Sequence, residues 1–153
     1  MNLQVGDPAP DFELLSHRGN KVRLSAFRGR KRVILAFHPL AFTPICSAQM
    51  QNYETDKAWF DAHDVNLFGI SVDASPAKTE WAKALGGISF DLLSDFHPHG
   101  AEASAYGVLR EDGISERAIF VVDKTGTVVF AKVYEIPTLP DNAEVRQVIT
   151  GLG

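Results

Sequence analysis

Apolar and polar positions follow two different periods along this chain, and the changes of period mark its elements. Phe12-Glu13-Leu14-Leu15 and Lys21-Val22-Arg23-Leu24 flank the turn formers Ser16-His17-Arg18-Gly19-Asn20 and predict a short hairpin. Lys31 to Phe37 is apolar without alternation, the pattern of a central, parallel strand covered on both faces. From Pro44 to His63 the spacing turns helical, with Cys46, Met50, Tyr53 and Phe60 on one inward face. Val65 to Val72 is a second strand. Ser75-Pro76 opens another helix, carrying Ala77, Trp81 and Leu85 inward before Gly86-Gly87 ends it. Phe90 to Leu93 is a short strand and Pro98 to Tyr106 a short helix ending at Gly107. Arg117 to Asp123 and Thr127 to Val133 are strands joined by the hairpin turn Lys124-Thr125-Gly126, and a helix over Asp141 to Thr150 follows. Strands alternating with helices, then an antiparallel pair, predict an α/β fold with a mixed sheet.

With 153 residues the chain reads as one domain, 1–153, that needs no disulfide or metal to hold it. No apolar run approaches the roughly 20 residues of a membrane span. The start, Met1-Asn2-Leu3-Gln4-Val5-Gly6-Asp7-Pro8, has neither a charged nor an apolar leader region, so a cytoplasmic location is expected. A net charge of −4 argues against a nucleic-acid binder. The local basic run Arg28-Gly29-Arg30-Lys31-Arg32 reads as a solvated turn ahead of the strand.

Candidate chemistry centres on Cys46, the only cysteine. Thr43 and Pro44 have the residue types of a helix cap and first helical position, which makes Cys46 the third helical residue. A thiol there meets orphan backbone N–H groups and the positive end of the helix dipole, and both favour thiolate. A buried structural thiol is the plainer alternative, since free cysteine is often fully buried. The Thr43 hydroxyl is expected to accept from the Cys46 N–H while donating to a substrate oxygen. Arg117, ahead of five apolar residues, is either an exposed charge at a strand entrance or a guanidinium aimed at the helix start. Asp95-Phe96-His97-Pro98-His99 has closely spaced metal-ligand types but no motif around them, and reads as an exposed turn, so no metal is expected. No histidine carries a local signature of a hydrolase base, and no glycine spacing suits a phosphate.

Pro39-Leu40-Ala41-Phe42-Thr43-Pro44-Ile45-Cys46 matches Pro-x-x-x-Thr-x-x-Cys and, with Arg117, resembles the peroxiredoxins, in particular their AhpE-like one-cysteine branch. Gly6 to Phe12, Leu24 to Gly29, Ser71-Val72-Asp73 with Trp81, Leu92 to Asp95, and Arg117 to Asp123 extend the resemblance over nearly the whole chain. It implies a thioredoxin-like fold with an N-terminal β-hairpin and a thiol-dependent peroxidase without a cofactor. Cys46 would be the peroxidatic nucleophile, shielded by Pro39, with Thr43 and Arg117 orienting the peroxide. The substrates implied are hydrogen peroxide, organic hydroperoxides or peroxynitrite. The Cys46 sulfenic acid would be recycled by an external thiol, either a low-molecular-weight thiol or a thioredoxin- or glutaredoxin-like protein, in a homodimer. Two other roles are compatible: a redox relay that passes Cys46 oxidation to a partner protein, and a non-catalytic thioredoxin-fold binding module. His38 stands where the family generally has an aromatic residue, and is expected to titrate beside the site across neutral pH. Gln49 stands where many members have Glu, removing a carboxylate partner for an arginine.

Overall fold

Val33 to Phe37 are buried to within 1% of complete exclusion from solvent because strand β3 (Arg32–Phe37) has a neighbour on both edges and a packed layer on both faces. The computed structural model describes residues 3–152; Met1 and Asn2, part of the stretch read for a leader, lie outside the described residues, as does Gly153. β3 pairs in parallel with β4 (Val65–Ser71), which pairs in parallel with β5 (Asp91–Ser94). The predicted hairpin, β1 (Glu13–Ser16) and β2 (Lys21–Arg23), adds to β5 antiparallel. On the other side β6 (Arg117–Val122) runs antiparallel to β3 and pairs with β7 (Val128–Tyr134). The result is a mixed seven-stranded sheet, β2-β1-β5-β4-β3-β6-β7, with helices against it. Between β6 and β7, Gly126 takes φ +87°, and the Asp123 carboxylate accepts from the Thr125 and Thr127 N–H groups.

Alternate residues of β3 serve two cores. Ile34 and Ala36 face Cys46, Met50, Tyr53, Phe60 and Trp81, whereas Val33, Leu35 and Phe37 face Phe12, Leu14, Tyr106 and Phe120. Each such burial is worth about 1.5–3 kcal/mol, so this one strand binds both layers together.

The helices depart from the pattern reading in three places. Pro44 to His63 is two helices, α1 (Pro44–Thr55) and α2 (Lys57–Ala62), interrupted at Asp56. The Asp56 carboxylate accepts from Asn142 and Arg146, which ties the break to α5 (Asn142–Gly151), capped by Asp141. In α3 (Ser75–Ala84) the cap position falls on Ala74, and the Ser75 hydroxyl instead donates to the Ser16 carbonyl. The fully inward residues of α3 are Lys78, Trp81 and Ala82, while Ala77 and Leu85 are half-buried. The short helix α4 spans only Ala101–Ala105, and the Asp95 carboxylate accepts from the Glu102 and Ala103 N–H groups at its start.

Candidate active site

The register of β3 brings two distant segments together. Phe37 pairs with Ile70 on one side and Ala118 on the other, so the loop leaving β3, the end of β4 and the first residue of β6 meet at one end of the central strands. The Pro39–Thr43 loop runs from that end into α1. The Asp73 carboxylate holds this loop, accepting from the Ala41 N–H at 2.8 Å and from the Ser71 hydroxyl at 2.6 Å. Pro39 is buried beneath it, and Phe42 takes φ +65°, a left-handed backbone that turns the loop into the helix.

Thr43 and Pro44 hold the predicted cap and first helical positions, but the cap hydrogen bond is absent. The Thr43 hydroxyl donates to the Leu40 carbonyl at 2.7 Å, closing the loop on itself. Its hydrogen is therefore committed, and what Oγ1 offers is lone pairs. The helical ladder begins with the Ser47 N–H donating to the Thr43 carbonyl at 2.9 Å, which leaves the Cys46 N–H ahead of it.

Arg117 is drawn in from β6 rather than exposed. Its Nη1 donates to Cys46 Sγ at 3.4 Å and to Gln49 Oε1 at 2.8 Å, and its Nε donates to the Ile136 carbonyl at 2.9 Å. Among the described residues Nη2 donates to no protein atom, which leaves its two N–H groups for a ligand. Among the described residues no carboxylate pairs with Arg117. Gln49, expected only to remove a partner, is the arginine's neutral partner, and its Nε2 donates on to the Tyr53 hydroxyl at 3.0 Å. Burial pushes the Tyr53 phenol up to about 12, so it stays protonated.

His38 corrects the expectation of a titrating imidazole. It is wholly buried against Trp81, and desolvation, with Lys78 and Arg117 nearby, holds it well below the ordinary histidine value. It is neutral across physiological pH. The site residues absent from the sequence reading are Lys78, whose Nζ lies 3.4 Å from His38 Nε2, and Ser47, whose hydroxyl accepts from Trp81 Nε1 at 3.1 Å. A charged residue on the inward face of α3, beside Trp81, is the signal that marks Lys78.

The sequence-selected residues therefore divide cleanly. Cys46, Thr43, Arg117 and Pro39 gather at one end of the central strands, whereas the Asp95 to His99 stretch adds no side chain to them and Asp95 caps α4. Among the described residues no group of three His, Cys, Asp or Glu side chains is disposed to hold a metal ion, and no helix is long and apolar enough to cross a membrane.

Comparison with known proteins agrees with this architecture. A sequence model of the AhpC/TSA family matches residues 5–131. The chain is 44% identical to alkyl hydroperoxide reductase E of Mycobacterium tuberculosis over 131 residues, which is 85% of each protein. The reduced 2-Cys peroxiredoxin of Plasmodium vivax superposes with a TM-score of 0.91 at 30% identity, covering 98% of this chain and 82% of that one. Mycobacterium tuberculosis AhpC, 23% identical, shares the fold at a TM-score of 0.88, covering 99% of this chain and 93% of that one.

Proposed function

Because this chain belongs to the AhpC/TSA family of peroxiredoxins, we propose that Cys46 is the peroxidatic nucleophile of a one-cysteine, thiol-dependent peroxidase. The observation that carries this reading is the buried Arg117 guanidinium, which among the described residues has no carboxylate partner but donates a hydrogen bond to Sγ. Burying an unpaired cation is costly, and a structural thiol gives nothing in return for it. A thiolate does, since it is the anion the guanidinium otherwise lacks.

The mechanism follows from the remaining valences. The sulfur attacks one peroxide oxygen along the O–O axis: Cys46–S⁻ + ROOH + H⁺ → Cys46–SOH + ROH. The Thr43 Oγ1 lone pairs accept the peroxide O–H, and the free N–H groups of Arg117 Nη2 hold the oxygens as charge moves along the breaking bond. Pro39 and the Asp73-pinned loop keep these groups in register. With one cysteine in the sequence, the sulfenic acid returns to thiol through an external thiol, a low-molecular-weight one or a thioredoxin- or glutaredoxin-like protein. The same lack of an internal partner suits a redox relay, in which a mixed disulfide with one protein replaces turnover. The reading treats 1–153 as one domain working as a homodimer in the reducing cytoplasm, on hydrogen peroxide, organic hydroperoxides or peroxynitrite.

One equivalent of peroxide should add one oxygen atom to the Cys46 peptide by mass spectrometry, and continued peroxide loss should require added thiol. Peroxide loss without Cys46 oxidation would overturn the reading. Thr43→Val should slow peroxide oxidation about 10- to 100-fold, the worth of one hydrogen bond to the reacting oxygens, while leaving iodoacetamide alkylation of Cys46 nearly unchanged. Equal slowing of both would place Thr43 in support of the loop only.

A further inference from the structure

Lys78 and His38 are buried and titratable, and the chemistry above leaves them without a task. Lys78 Nζ lies 2.8 Å from the Leu93 carbonyl, 3.3 Å from the Gly69 carbonyl and 3.4 Å from His38 Nε2. Carbonyls only accept, so two Nζ hydrogens are committed and the third contact is with the imidazole. If Nζ is an ammonium, Nε2 must be the bare acceptor and the ring proton sits on Nδ1. If it is an amine, Nε2 carries the proton and donates to nitrogen. Nδ1 is buried without a partner in both cases, so the lysine charge and the histidine tautomer are a single variable.

Trp81 links this pair to α1, the helix that carries the sulfur. The His38 ring leans on Trp81 with centroids 5.2 Å apart, and Trp81 donates to Ser47, next to Cys46. The charged and titratable groups coupled electrostatically to the pair are Cys46 from α1, Asp73 from the turn after β4, Asp95 after β5, His17 after β1, and Arg117 from β6. Cys46 and the two aspartates favour the ammonium, whereas a charged His17 would see it as a like charge, and Arg117 opposes a charge on His38.

We propose that Lys78 is a positioning residue for the Cys46 reaction: seated on the Gly69 and Leu93 carbonyls and on His38 Nε2, its ammonium is a second buried cation that supports negative charge on the sulfur. The role rests on Cys46 being the nucleophile. Once the thiolate becomes a neutral sulfenic acid, the ammonium loses that attraction and yields its proton more readily. Burial brings Lys78 down to about 7, within reach of physiological pH. The sign for stability follows: below pH about 7 folded and unfolded chains both hold the proton, and between about 7 and 10.5 only the unfolded chain does, so stability rises across that window.

The test is iodoacetamide alkylation of the reduced full chain as a function of pH, which reads the sulfur without requiring peroxide turnover. Lys78→Met should alkylate about fivefold more slowly at neutral pH, with its profile displaced to higher pH by under one unit. The variant should also lose the alkaline rise in thermal stability. A second measurement needs no variant: the ¹⁵N titration of Lys78 Nζ in the natural chain, reduced and then capped by iodoacetamide. Coupling is reciprocal, so capping should lower the lysine midpoint by the same amount as the lysine shifts the sulfur. Superimposable alkylation profiles in folded Lys78→Met, or an Nζ titration unmoved by capping, would overturn the proposal. Normal coupling in a chain that fails to consume peroxide would overturn the peroxidase reading instead.

Discussion

Cys46→Ser is expected to abolish peroxide consumption, both the single stoichiometric step and thiol-dependent turnover, while leaving the fold in place. A serine hydroxyl does not ionise near neutrality, and its oxygen has no accessible sulfenic state, so neither the attack nor its product survives. The fall should exceed about four decades, the scale seen when a covalent nucleophile is removed. The substitution is small, and the hydroxyl can accept from the same Arg117 Nη1 that donates to Sγ, so no buried donor is stranded. Circular dichroism and the unfolding midpoint should therefore stay close to those of the natural chain. Stopped-flow peroxide loss is the decisive measurement, and surviving turnover would remove Cys46 from the reaction.

Arg117→Ala should have the next largest effect, slowing the second-order reaction with peroxide by about 10²–10³, the usual loss when one preorganised donor to a developing charge is removed. Two consequences combine. The sulfur loses the cation 3.4 Å away, and the reacting oxygens lose the free Nη2 donors. Arg117→Lys should recover little, because a point charge on a flexible stem cannot serve the sulfur, Gln49 and the Ile136 carbonyl from one planar fork. The side chain of Gln49 will be left without its donor, so the unfolding midpoint must be recorded beside the rate. Rates within twofold of the natural chain would exclude Arg117 from the site.

Much of this site was legible from local sequence because its key element is local. The cap position, the helix-start proline and the thiol in the first turn lie within four consecutive residues, Thr43 to Cys46, and each acts through backbone geometry that its near neighbours dictate. Arg117 was less legible: as a charge ahead of an apolar strand it suits solvent and a buried site equally, and the register between β3 and β6 decides between them. His38 was misread because a histidine's charge depends on what covers it, and the cover comes from Trp81 and Lys78 on α3, some forty residues along the chain. Thr43 shows a smaller failure of the same kind. Its hydroxyl donates to the Leu40 carbonyl across the loop that turns at Phe42, and no helix N–H reaches its oxygen.

By itself the sequence determined the elements and the candidate nucleophile: the apolar period of β3, the hairpins at both ends, and a lone cysteine at a helix start are set by interactions spanning a few residues. Even where it erred on helix limits, as at Asp56, the error came from a partner in α5 that no window of the chain contains. Tertiary structure alone decided the charges around the sulfur. Only the sheet register carries Arg117 to Cys46 across 71 residues, and only the packing of α3 buries Lys78 with His38. The physical reason is that hydrogen-bonded geometry falls off within a turn of helix, whereas desolvation and unpaired charge are properties of everything that surrounds a group, wherever in the chain it originates.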